Sequence, residues 1–246
     1  MKAMINRHMF AEGNVDSGSM TMMSTIVHKF SEPGEYKGNV IKGRNVVGHF
    51  TIIVGKKETP GLPTQAQIDL RQVEAPSARP DGALANRFSV GADGYGVFRV
   101  AAGAGRYAVE VYKGGSKVFD SCELQGDDLY YVMVLRPGTY SVTNAVTNAR
   151  GELTVAYPEK GTARNAEPVR IECSKGGFVP ERIGVKPMQG MVFSCKVPTR
   201  IKIDLVRPED RAPVAQVAAP QQMQAKAKPA GKKIRRRIRI MPRATI

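Results

Sequence analysis

Short stretches of alternating apolar and polar residues, separated by Gly- and Pro-rich turns, extend along most of the chain. Alternation with a period of two is typical of half-buried β-strands. No run of ten or more residues shows the helical spacing i, i+3, i+4, so we expect an all-β fold. The pattern predicts strands over residues 24–30, 36–41, 48–54, 66–73, 87–90, 96–101, 130–135, 140–143, 152–157, 169–173, 183–186, 191–196 and 200–206, and a hairpin turning at Gly114-Gly115.

The pattern of the first half recurs in the second. Pro33-Gly34-Glu35-Tyr36 aligns with Pro137-Gly138-Thr139-Tyr140, each between two predicted strands. With one residue deleted in the following loop, 48–52 aligns with 151–155. We therefore predict a tandem duplication of one β-module.

The repeat and the length set the expected domain organisation. A chain of 246 residues allows two domains of ordinary size, each large enough for its own apolar core. Short strands at regular spacing favour a β-sandwich or small barrel for each copy. We predict a disordered or extended N-terminal arm (1–22), two β-domains (23–125 and 126–210), and a flexible linker with a basic tail (211–246).

The net charge of +15 is distributed unevenly. Residues 211–246 carry ten Lys or Arg and no Asp or Glu, whereas the preceding 210 residues hold 27 basic and 22 acidic residues. An Ala/Pro/Gln-rich tether that ends in clustered cations favours counterion-releasing contact with phosphates. A solubilising tail is the plain alternative. The predicted polyanion-binding residues are Lys226, Lys228, Lys232, Lys233, Arg235, Arg236, Arg237, Arg239 and Arg243.

Targeting signals and cysteine chemistry are not apparent in the sequence. No apolar run approaches the roughly 18–20 residues of a membrane helix, and no secretory signal is visible. We expect synthesis in the cytoplasm and residence there or inside a particle. Cys122, Cys173 and Cys195 are too scattered for a disulfide framework or a zinc site. Buried apolar packing is expected for Cys173 and Cys195, with a bridge between them as the alternative.

The sequence predicts no enzyme and no cofactor. P-loop, GxSxG and HExxH motifs are missing. His28 and His49 align with Val132 and Glu152 in the second copy, so no metal site built on the repeat is expected. The pair Asp127-Asp128 is expected to form a solvated turn.

Two segments carry a resemblance to a known superfamily. Residues 137–140 with the later Gly-x-Leu-Thr-Val (151–155) resemble the closing hairpin of cupredoxins, and 177–185 resembles their opening Phe-x-Pro-x-x-Ile-x-Val strand. The resemblance implies a β-sandwich. Residues 141–150, where that family places its Cys, His and Met ligands, contain none of these types, and the two segments occur in reverse order. An immunoglobulin-like or other sandwich accounts for the same residues.

Three functions remain open at this point. The first is a non-enzymatic structural component of a larger assembly, of virion or sheath type, with protein partners in a homo- or hetero-oligomer and nucleic acid or an acidic partner at its basic tail. The second is an extracytoplasmic, copperless cupredoxin-like binding module. The third is an enzyme with a site divided between the copies, for which no residue set is evident.

Overall fold

The computed structural model describes residues 13–56, 61–74, 86–157 and 166–209, and more than half of these lie in strands. The all-β prediction is confirmed. The elements are β1 (Asn14–Asp16), β2 (Ser24–Phe30), β3 (Gly34–Lys42), β4 (Asn45–Val54), β5 (Gln65–Asp69), α1 (Leu70–Glu74), β6 (Arg87–Val90), β7 (Gly94–Arg99), β8 (Ala108–Lys113), β9 (Ser116–Asp120), β10 (Asp128–Met133), β11 (Gly138–Asn144), β12 (Arg150–Val155), β13 (Val169–Ser174), β14 (Gly177–Val179), β15 (Arg182–Val185), β16 (Gly190–Cys195) and β17 (Ile201–Pro208).

The strand predicted over 66–73 is wrong in its second half. The strand stops at Asp69, and α1 follows immediately. The Asp69 carboxylate accepts the backbone N–H of Arg71 at 3.2 Å, a local bond that favours a turn over continued extension. Leu70 and Val73, three residues apart, are then both buried on one side of the helix.

The strands form three sheets in two layers. The central sheet has the order β14-β13-β16-β10-β2-β7-β5, and the two five-stranded sheets have the orders β6-β4-β3-β8-β9 and β1-β17-β11-β12-β15. One row of buried side chains crosses six strands of the central sheet in register. It consists of Ile171, Phe193, Tyr130, Ile26, Phe98 and Ile68.

Both five-stranded sheets pack on the face of the central sheet that carries this row. On one side, Phe98 stacks on Phe119 of β9 with ring centroids 5.2 Å apart and lies 6.0 Å from Phe50 of β4. On the other side, Gly151 of β12 faces the Phe178 ring of β14. The aromatic groups therefore join the layers within each half. They supply much of the apolar burial that stabilises the fold.

The repeat predicted from the sequence is visible in the strand pairing of both halves. The antiparallel pairs β3–β4, β3–β8 and β2–β7 correspond to β11–β12, β11–β17 and β10–β16. The parallel pairs β4–β6 and β5–β7 correspond to β12–β15 and β13–β16. The two aligned tyrosines also make the same contact. Tyr36 donates to the Glu32 carbonyl at 2.7 Å, and Tyr140 to the Arg136 carbonyl at 2.6 Å.

This contact can be tested against a buried tyrosine that lacks it. Tyr140→Phe is expected to lower the free energy of unfolding by about 1 kcal/mol, because a largely buried hydrogen bond disappears. Tyr130 is fully buried, and its hydroxyl has no hydrogen-bond partner among the described residues. We expect Tyr130→Phe to leave stability unchanged or raise it, measured by urea unfolding. A loss in Tyr130→Phe equal to that in Tyr140→Phe would contradict this assignment.

Each half is preceded by a strand that pairs with the last strand of the other half, and we call this strand its leading strand. β9 precedes the second half and pairs with β8, and β1 precedes the first half and pairs with β17, the last strand of the second. Each leading strand ends in an aspartate that is followed by a serine. Ser17 accepts the N–H of Ile201 at 3.1 Å, and Ser121 accepts that of Val109 at 2.8 Å. Residues 1–12 of the predicted N-terminal arm lie outside the described residues, and from Gly13 onward the segment contributes β1 to a sheet.

The halves also meet along β2 and β10, which pair antiparallel in the middle of the central sheet. In this register Ile26 lies opposite Tyr130. These two residues occupy the same position in the two copies, since the offset of 104 residues that aligns Tyr36 with Tyr140 also aligns them. A pseudo-twofold axis therefore passes through this residue pair.

Candidate interaction sites

The predicted polyanion-binding residues lie outside the described part of the chain. All nine fall within 210–246. Their sequence pattern remains the basis of that prediction. The sites built from described residues lie elsewhere, at the junction of the two halves and in the second half.

A cavity of about 420 Å³ opens where the two halves join. It lies between β2, β9 and the start of β10, so both copies contribute to it. Its lining combines one histidine, one lysine, several acids and a small apolar wall. The lining residues are His28, Lys117, Val118, Phe119, Asp120, Glu123, Gln125, Gly126 and Asp128.

A His–Asp pair with a buried carboxylate lines this cavity. His28 Nδ1 lies 2.7 Å from Asp128 Oδ1, and the Asp128 side chain is only 3% exposed. The other carboxylate oxygen of Asp128 accepts the backbone N–H of Gln125 at 3.0 Å. The His28 ring also packs against Phe119 and Phe30, with centroid distances of 4.6 and 4.8 Å. The carboxylate therefore holds the imidazole with Nδ1 as donor and leaves Nε2 as the acceptor in the neutral ring.

The expectation of a solvated turn at Asp127-Asp128 is wrong for one of the two residues. Asp127 is exposed, with a φ of +72°, and pairs with Lys196. Asp128 begins β10 and turns inward. Spacing gives no signal for its contact with His28, because 100 residues separate them. The repeat offers a partial signal, because Asp128 aligns with Ser24. The Ser24 hydroxyl oxygen also accepts the backbone N–H of the residue three positions earlier, Thr21, at 3.0 Å.

The lysine of the cavity is paired with two acids, of which Asp120 also lines the cavity. Lys117 Nζ lies 2.6 Å from Asp120 and 3.2 Å from Glu110. The hydrogen bond to Asp120 is the main cause of the raised pKa of Lys117, so this amine stays protonated. No Ser, Thr or Cys lines the cavity, and no group of three or more His, Cys, Asp or Glu residues in the described ranges is arranged to hold a metal ion. The arrangement therefore orients an imidazole but provides no adjacent nucleophile.

The cysteines take up the buried positions predicted for them. Cys173 and Cys195 are register partners on the parallel strands β13 and β16, and both are buried. All three cysteines are free. The hydrogen bond with Cys173 and burial raise the pKa of the Cys195 thiol, and burial also raises that of Cys122. A thiol with a raised pKa in an apolar setting is a weak nucleophile.

The strand arrangement places this fold in the broad β-sandwich class. Comparison with known proteins does not narrow this class to a family. In the described ranges no helix has the length and apolar character needed to span a bilayer. No protein-family model, curated protein or solved structure matches the chain.

Proposed function

We propose that this protein is a non-enzymatic structural component of a larger assembly, of virion or sheath type, whose basic C-terminal arm contacts nucleic acid. The observation that carries the proposal is charge segregation. Ten cations and no anion occupy residues 211–246, whereas the rest of the chain is close to balance. Cations on an Ala/Pro-rich tether suit a polyanion that needs no fixed geometry.

The architecture supports this proposal in a second way. Two sandwiches joined by a continuous central sheet, through β2 and β10, give one body with two similar but non-identical surfaces. Such a body suits protein contacts in an assembly, where one half meets one neighbour and the other half another. The His28–Asp128 pair fits the same picture, because it fastens β2 to the start of β10 across the junction.

The arm can be tested in the full-length protein. Replacing its nine predicted contact residues, from Lys226 to Arg243, by glutamine should weaken binding to a labelled oligo-deoxythymidylate by at least ~100-fold at moderate salt. The steep dependence of log affinity on log salt concentration should flatten as well, since each lost phosphate contact removes ~0.7 from the slope. Fluorescence anisotropy across a salt series measures both quantities.

A shuffled arm of identical composition serves as the matched control. It should bind as the natural arm does, because the contact depends on charge and not on order. Unchanged affinity and slope in the glutamine variant would overturn the proposed function. An acidic protein partner is the alternative contact for the same arm, and it would appear as salt-sensitive binding to polyglutamate but not to the oligonucleotide.

A copperless cupredoxin-like binding module is the second candidate. One observation favours it: β12 and β15, which carry the closing-type and opening-type segments, are parallel neighbours in one sheet despite their reversed order along the chain. The residues at 145–149 do not fit copper, since Ala145, Val146, Thr147, Asn148 and Ala149 offer no imidazole or sulfur. Cell fractionation together with metal analysis of the purified protein separates this candidate from the first, because only the module would be found outside the cytoplasm.

A further inference from the structure

One end of the first sandwich presents a group of exposed cations. The β3–β4 turn supplies Lys42 and Arg44, α1 supplies Arg71, and the segment before β8 supplies Arg106. Contacts bring these segments together. Lys42 Nζ lies 5.4 Å from the centre of the Tyr107 ring, and an ideal Cβ built on Gly103 would lie 3.4 Å from Arg71 Nη1. We call this surface, formed by Lys42, Arg44, Arg71 and Arg106, the cationic end.

The acids at the cationic end are engaged with neighbouring groups. Glu74 accepts Lys42 Nζ at 2.8 Å and also the Tyr107 hydroxyl, and its side chain is 25% exposed. The hydrogen bond from Lys42 is the largest cause of the lowered pKa of Glu74. Asp69 is buried, and one of its carboxylate oxygens accepts the N–H groups of Arg71 and Ala101, each at 3.2 Å. Both carboxylates therefore already accept hydrogen bonds from neighbouring groups, and the charge of Arg71 also contributes to the lowered pKa of Glu74.

The second half shows that the fold does not require the cations of the β3–β4 turn. By the alignment of Tyr36 with Tyr140, Lys42 stands where the second half has Val146, which is 42% exposed. The rest of that turn, residues 147–149, is uncharged. Two copies of one module therefore share strand pairing but differ in charge at corresponding turns. A charge that packing does not require is a candidate for binding.

We propose that the cationic end is a second nucleic-acid contact, which binds the sugar–phosphate backbone alongside the C-terminal arm. The partner class follows from the side chains. Arginine presents a planar fork of donors that matches phosphate oxygens, and Arg44 and Arg71 are both exposed. Among the described residues of this end the aromatic ring is that of Tyr107, which is buried beneath Lys42 and offers no face on which a base could stack. The contact is therefore independent of base sequence.

This inference rests on the proposed function, and a matched pair of charge reversals in the full-length protein tests it. Arg44→Glu/Arg71→Glu alters two exposed residues of the cationic end. Arg150→Glu/Lys175→Glu makes the same change in charge at the corresponding end of the second half, where both residues are exposed. Binding to labelled oligo-deoxythymidylate is followed over a salt series. We expect the slope to fall by ~1.4 in the first variant, as two single-strand phosphate contacts are lost, and to stay near the natural value in the second.

Each outcome decides one point. Equal losses in both variants would overturn the cationic end, since net charge alone would then explain the effect. If the arm variant loses binding while Arg44→Glu/Arg71→Glu binds like the natural protein, the proposed function stands and this inference falls. If the reversal still lowers the slope in a protein whose arm is neutralised, the cationic end stands without the arm. Loss of binding to phosphatidylserine vesicles but not to the oligonucleotide would overturn the inference in favour of a membrane.

Discussion

Replacing Gly138 by alanine is expected to lower the free energy of unfolding by at least ~3 kcal/mol. Gly138 has a φ of +150°, where a side chain is strained. A Cβ there would lie 2.5 Å from the carbonyl oxygen of Arg207 and 3.2 Å from the Cα of Pro208. Both atoms belong to the backbone of β17, next to the irregularity in the β11–β17 register at Thr139 and Tyr140. The clash cannot be relieved by turning a side chain.

The repeat provides the control for this substitution. Gly34 is the aligned residue and has a φ of +138°. The nearest atom to its added Cβ is Lys113 Cε at 3.3 Å, near the end of a flexible side chain. Gly34→Ala should therefore cost only the conformational strain, about 1 kcal/mol. Urea unfolding of both variants measures the difference, and equal losses would show that the backbone contact with β17 is not the cause.

Deleting residues 1–19 is expected to lower the free energy of unfolding by at least ~3 kcal/mol. The deletion removes β1, which covers the edge of β17. It also removes Asp16, whose two carboxylate oxygens accept Arg200 Nε at 3.0 Å and Arg200 Nη2 at 2.9 Å. The hydrogen bonds of Ser17 with the backbone of Ile201 are lost at the same time.

A shorter deletion isolates the contribution of β1. Removing residues 1–12 leaves β1, Asp16 and Ser17 in place and should change the stability by less than ~0.5 kcal/mol. Hydrogen exchange locates the effect: protection should fall first in β17 and β11 of the second half, and β3 and β8 should be less affected. If both deletions destabilise equally, or if exchange rises uniformly, β1 does not hold the edge of the second sandwich.

The repeat was the most informative feature of the sequence because it rests on local chemistry. A Pro-Gly turn followed by a tyrosine specifies a corner with residues close in sequence, and Tyr36 and Tyr140 make that corner identically. Period-two alternation likewise placed most strands within a few residues. It misplaced α1 because Leu70 continues the alternation of Ala66 and Ile68, whereas its other buried partner, Val73, lies at the helical spacing i, i+3.

The features that sequence reasoning missed depend on partners far along the chain. β1 has three residues, too few to show alternation, and its partner β17 lies almost at the other end of the described chain. A signal for it does exist in the repeated Asp-Ser of 16–17 and 120–121. In each copy the aspartate accepts the N–H two residues later, at 2.9 Å for Gly18 and 2.8 Å for Cys122. The contact between His28 and Asp128 has no such repeat, because Val132 and Ser24 occupy the aligned positions.

The axis through Ile26 and Tyr130 bears on the origin of the molecule. Equivalent edges meet across it, which is the geometry of an isologous contact between identical subunits. A single unit with one leading strand and one such edge has the elements needed to build this sheet as a homodimer. Joining two copies in one chain makes the partner permanent, and it leaves the two copies free to differ in surface charge.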